Sequence, residues 1–178
     1  NEIHYNPIAG SSYEFIEVVN TSDEPFEMQG VSFTDGITYT FSSPFSLAPA
    51  SQYPGNYLVL AEDAALFQAA YGFAPYGQYQ GKLNNDGELI VLQGSSGEIL
   101  DDLTYNDAAP WDVVPDAGLH SLALLDPGLD NSMASNWGHQ DENVTPGTVN
   151  FPQADDCPED FDGDGEIGVG DFVEFNSN

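Results

Sequence analysis

The chain has 178 residues, of which 40% are hydrophobic and 12% aromatic. This length and composition suit one folded domain with a short appendage, and they exclude the class of fully disordered chains. Thirty Asp and Glu residues accompany a single basic residue, Lys82, and the formal net charge is −29. This charge excludes nucleic acid binding, which relies on Lys and Arg at phosphates, and attachment to anionic lipid through basic clusters.

The charge and the first residues indicate an extracellular protein. No apolar run approaches the ~20 residues that a membrane-spanning helix needs, and the chain opens without Met at Asn1-Glu2-Ile3. We interpret this opening as a mature terminus left after removal of a secretory signal. Because dissolved salt screens repulsion between carboxylates, we predict secretion into a saline, calcium-containing medium without membrane insertion.

Short β-rich runs separated by turn residues fill the first part of the chain. Residues 13–20 form a predicted strand, in which Ile16 and Val18 share one face and acidic residues alternate with them. Within residues 31–41, the pair Asp35-Gly36 separates two β-rich runs, which is a strong signal for a hairpin.

A buried strand and a helix are predicted next. Residues 57–61 form an apolar run, and the Ala-rich residues 64–71 follow them. The acidic pair Glu62-Asp63 in the first turn and Gly72 after the last turn fit a two-turn helix. Further strands are predicted at residues 88–92, 98–105 and 119–125.

Many short strands, frequent turns and a single helix favour an all-β antiparallel sandwich over an alternating α/β fold. We assign residues 1–149 to this sandwich and residues 150–156 to a linker. Residues 157–178 form a separate C-terminal repeat, consisting of a small loop and the start of a helix.

Several segments of the sandwich, in their order and spacing, resemble a bacterial lamin tail domain over about residues 1–150. They are Asn1-Glu2-Ile3-His4-Tyr5-Asn6-Pro7, residues 13–20, 55–60, 81–88 and 121–126, Pro110-Trp111, Asn136-Trp137 and Thr145-Pro146-Gly147. The resemblance implies an immunoglobulin-like β-sandwich that accompanies secreted or surface proteins. It brings no catalytic residues.

The C-terminal repeat contains a calcium-loop pattern over residues 160–171. EF-hand loops supply oxygens from positions 1, 3, 5, 7, 9 and 12, with a Gly at position 6. Here Asp160, Asp162 and Asp164 occupy the first three of these positions, Gly165 the sixth, and Asp171 the twelfth. We predict that these four carboxylates bind Ca²⁺ through their side chains. The predicted ligand at position 7 is the backbone carbonyl of Glu166.

The loop ends in Asp where the commonest EF-hand has Glu, and Cys157-Pro158 stands where an entering helix would run. This combination resembles a type I dockerin repeat, a family in which one helix follows the loop. That helix would start at Asp171 and place Phe172 and Phe175 on one face. The resemblance covers one repeat. Cys157 is the single cysteine, and a free thiol, a bridge between subunits and a partner beyond Asn178 all remain open.

Enzymatic activity is one alternative. His4, His120 and His139 could join Ser and Asp in a hydrolytic triad, because triads are defined by geometry. No nucleophile-elbow motif supports one, and phosphoryl transfer lacks the basic residues it needs. We therefore predict that the chain is not an enzyme. Lys82 is predicted to be a solvated charge on a strand edge.

Carbohydrate binding is a second alternative. Trp111, Trp137 and nine tyrosines would suit a sugar-stacking platform, although we expect both tryptophans to pack under loops. Residues 126–131 are either a further calcium site or a simple turn. Asn20 and Asn143 begin glycosylation patterns, which occur often by chance.

The function that the sequence favours is structural. We predict a secreted, noncatalytic, calcium-binding module of an extracellular fibre or matrix, which self-associates or contacts a neighbouring subunit through its C-terminal tail. A polyanionic chain must overcome repulsion to associate, and bound divalent ions reduce that repulsion. The alternative is an accessory module that binds glycans.

Overall fold

The computed structural model describes residues 1–140 and 144–151. Within them lie twelve strands and one α-helix, α1 (Ala64–Tyr71). The strands are β1 (Glu2–His4), β2 (Phe15–Val19), β3 (Phe26–Glu27), β4 (Ser32–Asp35), β5 (Tyr39–Thr40), β6 (Ser46–Leu47), β7 (Tyr57–Ala61), β8 (Gly77–Gln78), β9 (Gly87–Gln93), β10 (Ile99–Asn106), β11 (Leu122–Leu124) and β12 (Trp137–Gly138).

The strands form two main sheets and a small hairpin, which confirms the predicted β-sandwich. One sheet has the order β12-β11-β1-β2-β7-β8 and the other has the order β10-β9-β4-β5. A two-stranded ribbon, β3-β6, lies beside them. The antiparallel prediction fails at one place, since β7 and β8 pair in parallel. The intervening helix α1 makes this possible, because parallel neighbours need a crossover connection.

The elements with the strongest sequence signals lie where they were predicted. Strand β7 and helix α1 have the predicted bounds, and β4 and β5 form the hairpin around Gly36, which has a φ of 76°. The predicted strand at residues 119–125 shortens to Leu122–Leu124.

The start of α1 differs in one detail from the prediction. Glu62 and Asp63 precede the first turn, and Asp63 is the N-cap. Its Oδ1 accepts hydrogen bonds from the backbone N–H groups of Ala65 at 2.9 Å and Leu66 at 3.0 Å. The helix ends at Gly72, whose φ of 81° places it in the left-handed region that glycine adopts easily. Across the described part of the chain, no helix is long and apolar enough to cross a membrane.

Two apolar clusters hold the layers together. The larger one fills the space between the main sheets and includes Ile3, Ile16 and Leu60 from one sheet and Phe33 and Ile90 from the other. The smaller one lies on the outer face of the six-stranded sheet, where Phe67 of α1 packs against β2 and β7; its buried members are Phe15, Val59, Ala61 and Phe67. Successive residues of β2 therefore face two different buried environments, so neither face of this strand is a solvent face.

Candidate functional site

An apolar groove opens at one side of the sandwich, where the two main sheets do not close on each other. It has a volume of about 350 Å³. Both sheets and the β3-β6 ribbon contribute apolar side chains to it, including Val18, Phe26, Leu92, Leu100, Leu124 and Leu129. Phe26, Leu100 and Leu129 remain 39%, 37% and 42% exposed. Exposed apolar side chains that line a concave surface are typical of a contact site.

The groove carries little charge in a strongly acidic protein. Asp101 is the one ionisable side chain that lines it within the described residues. Its two carboxylate oxygens accept hydrogen bonds from the Asn131 side-chain amide at 3.0 and 2.8 Å. The groove is therefore a place where another acidic surface can approach with comparatively little repulsion.

The described chain ends beside this groove. The side-chain amide of Asn150 donates to the backbone oxygens of Asn1 at 2.8 Å and Leu124 at 2.9 Å. Asn1 and Leu124 both line the groove. These bonds hold the start of the C-terminal tail next to the groove.

Strand β10 borders the groove and forms an edge of the four-stranded sheet. An unpaired edge of eight residues is a template for pairing with another chain. However, β10 has a register irregularity between Ile99 and Asp101, and the side chains of Asp101 and Asp102 are exposed. Bulges and charged side chains are two devices that protect edges. The geometry thus favours contact through the groove over contact through the edge.

Two buried carboxyl groups attach residues 145–150 to the six-stranded sheet. Glu2 accepts from the backbone N–H of Thr145 at 2.9 Å and from the hydroxyl of Ser121. Glu17 accepts from the side-chain amide of Asn1 at 2.6 Å and from the backbone N–H of Gly147. Burial raises the pKa of Glu2, and burial together with the neighbouring Glu2 raises the pKa of Glu17 to about 8.

A third buried carboxyl group holds the loop before β9. Glu14 accepts from the backbone N–H of Leu83 at 2.8 Å and from the hydroxyl of Tyr79 at 3.3 Å. Burial raises the pKa of Glu14 to about 7. The nearby Lys82 is exposed, as predicted, although it lies in a loop, and its ammonium donates to the Ser11 hydroxyl at 2.7 Å.

Sequence reasoning missed these buried carboxyl groups, because it treated acidic residues as solvated. The available signal was the position of Glu2, Glu14 and Glu17 within apolar β-rich runs. In a chain with one basic residue, such carboxyl groups must find hydrogen-bond donors if they are buried.

Two of the histidines lie close together, and the third is buried. The His120 and His139 rings are 5.3 Å apart, and His139 Nδ1 lies 2.5 Å from Asp112 Oδ2. His4 is buried, burial lowers its pKa to about 4, and neither ring nitrogen has a hydrogen-bond partner among the residues that the structure describes. Among the described residues, no serine hydroxyl is hydrogen-bonded to a histidine, so the bond that activates a nucleophile is not formed.

Trp137 of β12 is part of the core rather than packed under a loop, and Trp111 packs against that core. Trp137 is 5% exposed, and its indole N–H donates to the backbone oxygen of Asn131 at 2.7 Å. Trp111 is partly buried, with its ring 6.2 Å from that of Trp137. Trp137 therefore offers no face to a sugar in this structure.

Residues 126–131 form turns. Asp126 accepts from the backbone N–H of Gly128 at 2.7 Å, and Asp130 accepts from the backbone N–H of Ser132 at 3.0 Å. Asn20, which begins a glycosylation pattern, is buried and donates to three backbone oxygens. The carboxylates of residues 126–131 and the side chain of Asn20 thus each stabilise the local backbone.

The predicted calcium ligands Asp160, Asp162, Asp164, Glu166 and Asp171 lie outside the described residues, as does Cys157. Within residues 1–140 and 144–151, no group of three His, Cys, Asp or Glu side chains is arranged to hold a metal ion. Calcium binding therefore stays a prediction from the spacing of the loop.

Comparison with protein families decides the identity of the sandwich. A family model described as the lamin tail domain matches residues 1–107, from the start of the chain to the end of β10. The chain belongs to the lamin tail domain family. No curated protein and no solved structure gives a significant match.

The lamin tail domain is a noncatalytic, immunoglobulin-like fold type, in agreement with the two-sheet architecture. The match stops before β11 and β12, yet both strands belong to the same sheet as β1. The bonds from Glu2 and Glu17 attach residues 145–150 to that sheet as well. The division between sandwich and linker at residues 149 and 150 stays a prediction.

Proposed function

We propose that this lamin tail domain protein is a secreted, noncatalytic, calcium-binding structural or adhesion module, and that it serves as a subunit of an extracellular fibre or matrix. The observation that carries the proposal is the exposed apolar groove on a protein with a net charge of −29. Such a groove suits contact with a partner, whereas the charge keeps copies apart until cations intervene.

The cation is Ca²⁺, which the C-terminal loop binds. Asp160, Asp162, Asp164 and Asp171 bind the ion with their side chains, and Glu166 binds it with its backbone carbonyl. The resemblance of this repeat to a dockerin implies one helix after the loop. Without the ion, two unit charges ~4 Å apart at an effective dielectric near ~20 repel by about 4 kcal/mol. Binding therefore orders the tail and lowers its charge, so that it can contact a neighbour.

A noncatalytic role fits the groups that the sandwich holds. The Asp112–His139 pair is the arrangement closest to a general base with its orienting carboxylate. No nucleophile completes it among the described residues. The buried carboxyl groups Glu2, Glu14 and Glu17 are engaged by backbone and side-chain donors, and their contacts hold the fold together.

Light scattering on the purified chain tests this function. With calcium, the protein should form dimers or larger assemblies, and chelation should return it to monomers. The Asp164→Ala variant should bind calcium weakly in calorimetry and stay monomeric. Asp86→Ala is the matched control, because Asp86 is exposed, lies outside the calcium loop and does not line the groove, so the change should leave association unaffected. A chain that stays monomeric with and without calcium contradicts the proposal.

A further inference from the structure

We propose that the groove between the two sheets receives the Phe172–Phe175 segment from the C-terminal tail of a second copy of this chain. This inference rests on the proposed function and names the contact that the calcium-ordered tail makes. The contact joins an apolar concave surface to the apolar part of a tail that is otherwise acidic.

The chemistry of the two surfaces matches. The tail segment presents Phe172, Val173 and Phe175, with Glu174 as its one internal charge. The groove presents exposed Phe26, Leu100 and Leu129, with Asp101 already hydrogen-bonded by Asn131. Burial of aromatic side chains in a desolvated pocket is the usual source of affinity at such contacts.

The calcium loop makes this contact electrostatically feasible. Asp171 is the twelfth loop residue and immediately precedes Phe172. Once the loop holds Ca²⁺, the carboxylates next to the aromatic segment coordinate the ion. The negative charge of the tail that enters the groove is then smaller. Because the chain as a whole has a net charge of −29, the same segment without calcium is repelled by the second copy.

The path of the chain permits exchange of tails between two copies. Asn150 is held beside the groove, and residues 152–159 can span about 28 Å when extended. Two copies whose grooves face each other can therefore pass their tails across the interface in a reciprocal, two-fold exchange. The protected edge of β10 adds no competing contact, because its bulge and exposed carboxylates disfavour strand pairing.

Complementation between two variants tests the proposal. Leu100→Asp blocks the groove, and Leu129→Asp is a second groove variant in a loop, in case the first disturbs β10. Ile99→Asp is the matched control, since Ile99 is 62% exposed and lies next to Leu100 without lining the groove. Phe172→Asp/Phe175→Asp is the tail variant. Circular dichroism confirms folding, and calorimetry confirms that each variant binds calcium.

In the presence of calcium, we expect each groove variant, and the tail variant, to self-associate at least about tenfold more weakly than the parent when it is tested on its own. The Ile99→Asp variant should associate like the parent. A groove variant mixed with the tail variant should form a one-to-one complex, because one intact tail and one intact groove remain.

Three results would overturn the inference. Groove variants that associate like the parent show that the tail binds elsewhere, and they leave the proposed function standing. A mixture without a one-to-one complex shows that the segment occupies the groove of its own chain or a different partner. If the parent chain never self-associates in the presence of calcium, the proposed function itself is wrong.

Discussion

Glu2 and Glu17 lie directly opposite each other on β1 and β2, and both carboxyl groups are buried. They share the outer face of the six-stranded sheet with Phe15, against which α1 packs. Two neighbouring buried carboxyl groups in a chain with one basic residue make the fold sensitive to their protonation. Their hydrogen bonds to Thr145 and Gly147 also couple the last described residues to the first strands.

Stability should fall as the pH rises. The pKa of Glu17 goes from about 4.5 when unfolded to about 8 when folded, and that of Glu14 to about 7. A raised pKa in the folded state means that the folded state binds the proton more tightly than the unfolded state. The stabilisation that this proton contributes is therefore fully present at pH values below the unfolded-state pKa. It is lost progressively as the pH rises from about 4.5 to the folded pKa values of about 7 and about 8. Each pKa unit corresponds to about 1.4 kcal/mol, so we expect the two raised pKa values to produce a loss of several kcal/mol in urea titrations.

The Glu17→Gln variant should flatten this dependence. Gln keeps the shape and one acceptor oxygen, but it cannot ionise, so the penalty for a buried charge disappears at high pH. Urea titrations should therefore show a smaller difference between about pH 5 and about pH 8 than for the parent. Asp126→Asn changes a carboxylate in an exposed turn and serves as the control. A Glu17→Gln profile as steep as that of the parent would contradict this assignment.

Removing the aromatic contact between α1 and the sheet should destabilise the domain strongly. Phe67 is 1% exposed and packs edge to face on Phe15, with ring centroids 5.7 Å apart. We expect Phe67→Ala to lower the free energy of unfolding by about 3–5 kcal/mol, because it leaves a cavity. Gln68→Ala, at an exposed position of the same helix, should change it by less than about 0.5 kcal/mol. Equal effects of the two changes in thermal unfolding would argue against this packing.

The N-cap of α1 predicts a smaller effect. Asp63 satisfies the N–H groups of Ala65 and Leu66, so Asp63→Ala should cost about 1 kcal/mol of stability. Asp63→Ser keeps an acceptor oxygen and should retain most of it. The comparison uses chemical denaturation, and an Ala variant as stable as the Ser variant would show that the cap contributes little.

Calcium removal should affect association without melting the sandwich. The core clusters and the bonds of Glu2, Glu14 and Glu17 join residues within the described part of the chain. Chelation should therefore leave the β signal of the sandwich in far-ultraviolet circular dichroism unchanged while assemblies dissolve. If chelation abolished both the β signal and association, the sandwich itself would need the ion.

Local signals in the sequence predicted the elements that depend on neighbouring residues. The bounds of β7 and α1 and the hairpin at Gly36 follow from apolar runs, a cap and an Asp-Gly pair. The family resemblance covered the sandwich, and the family match confirms it over residues 1–107. The calcium loop is likewise a local pattern, and it stays a prediction.

Distant contacts were decided by the tertiary structure alone. Glu2 bonds to Thr145, Glu14 to Leu83 and Glu17 to Gly147, which lie 143, 69 and 130 residues away in sequence. The groove likewise draws its walls from both sheets and the ribbon. Sequence alone determined the class of fold, the position of α1 and the spacing of a loop suited to calcium. Folding decided which carboxyl groups are buried and where an apolar surface stays open, because burial depends on partners that no local pattern specifies.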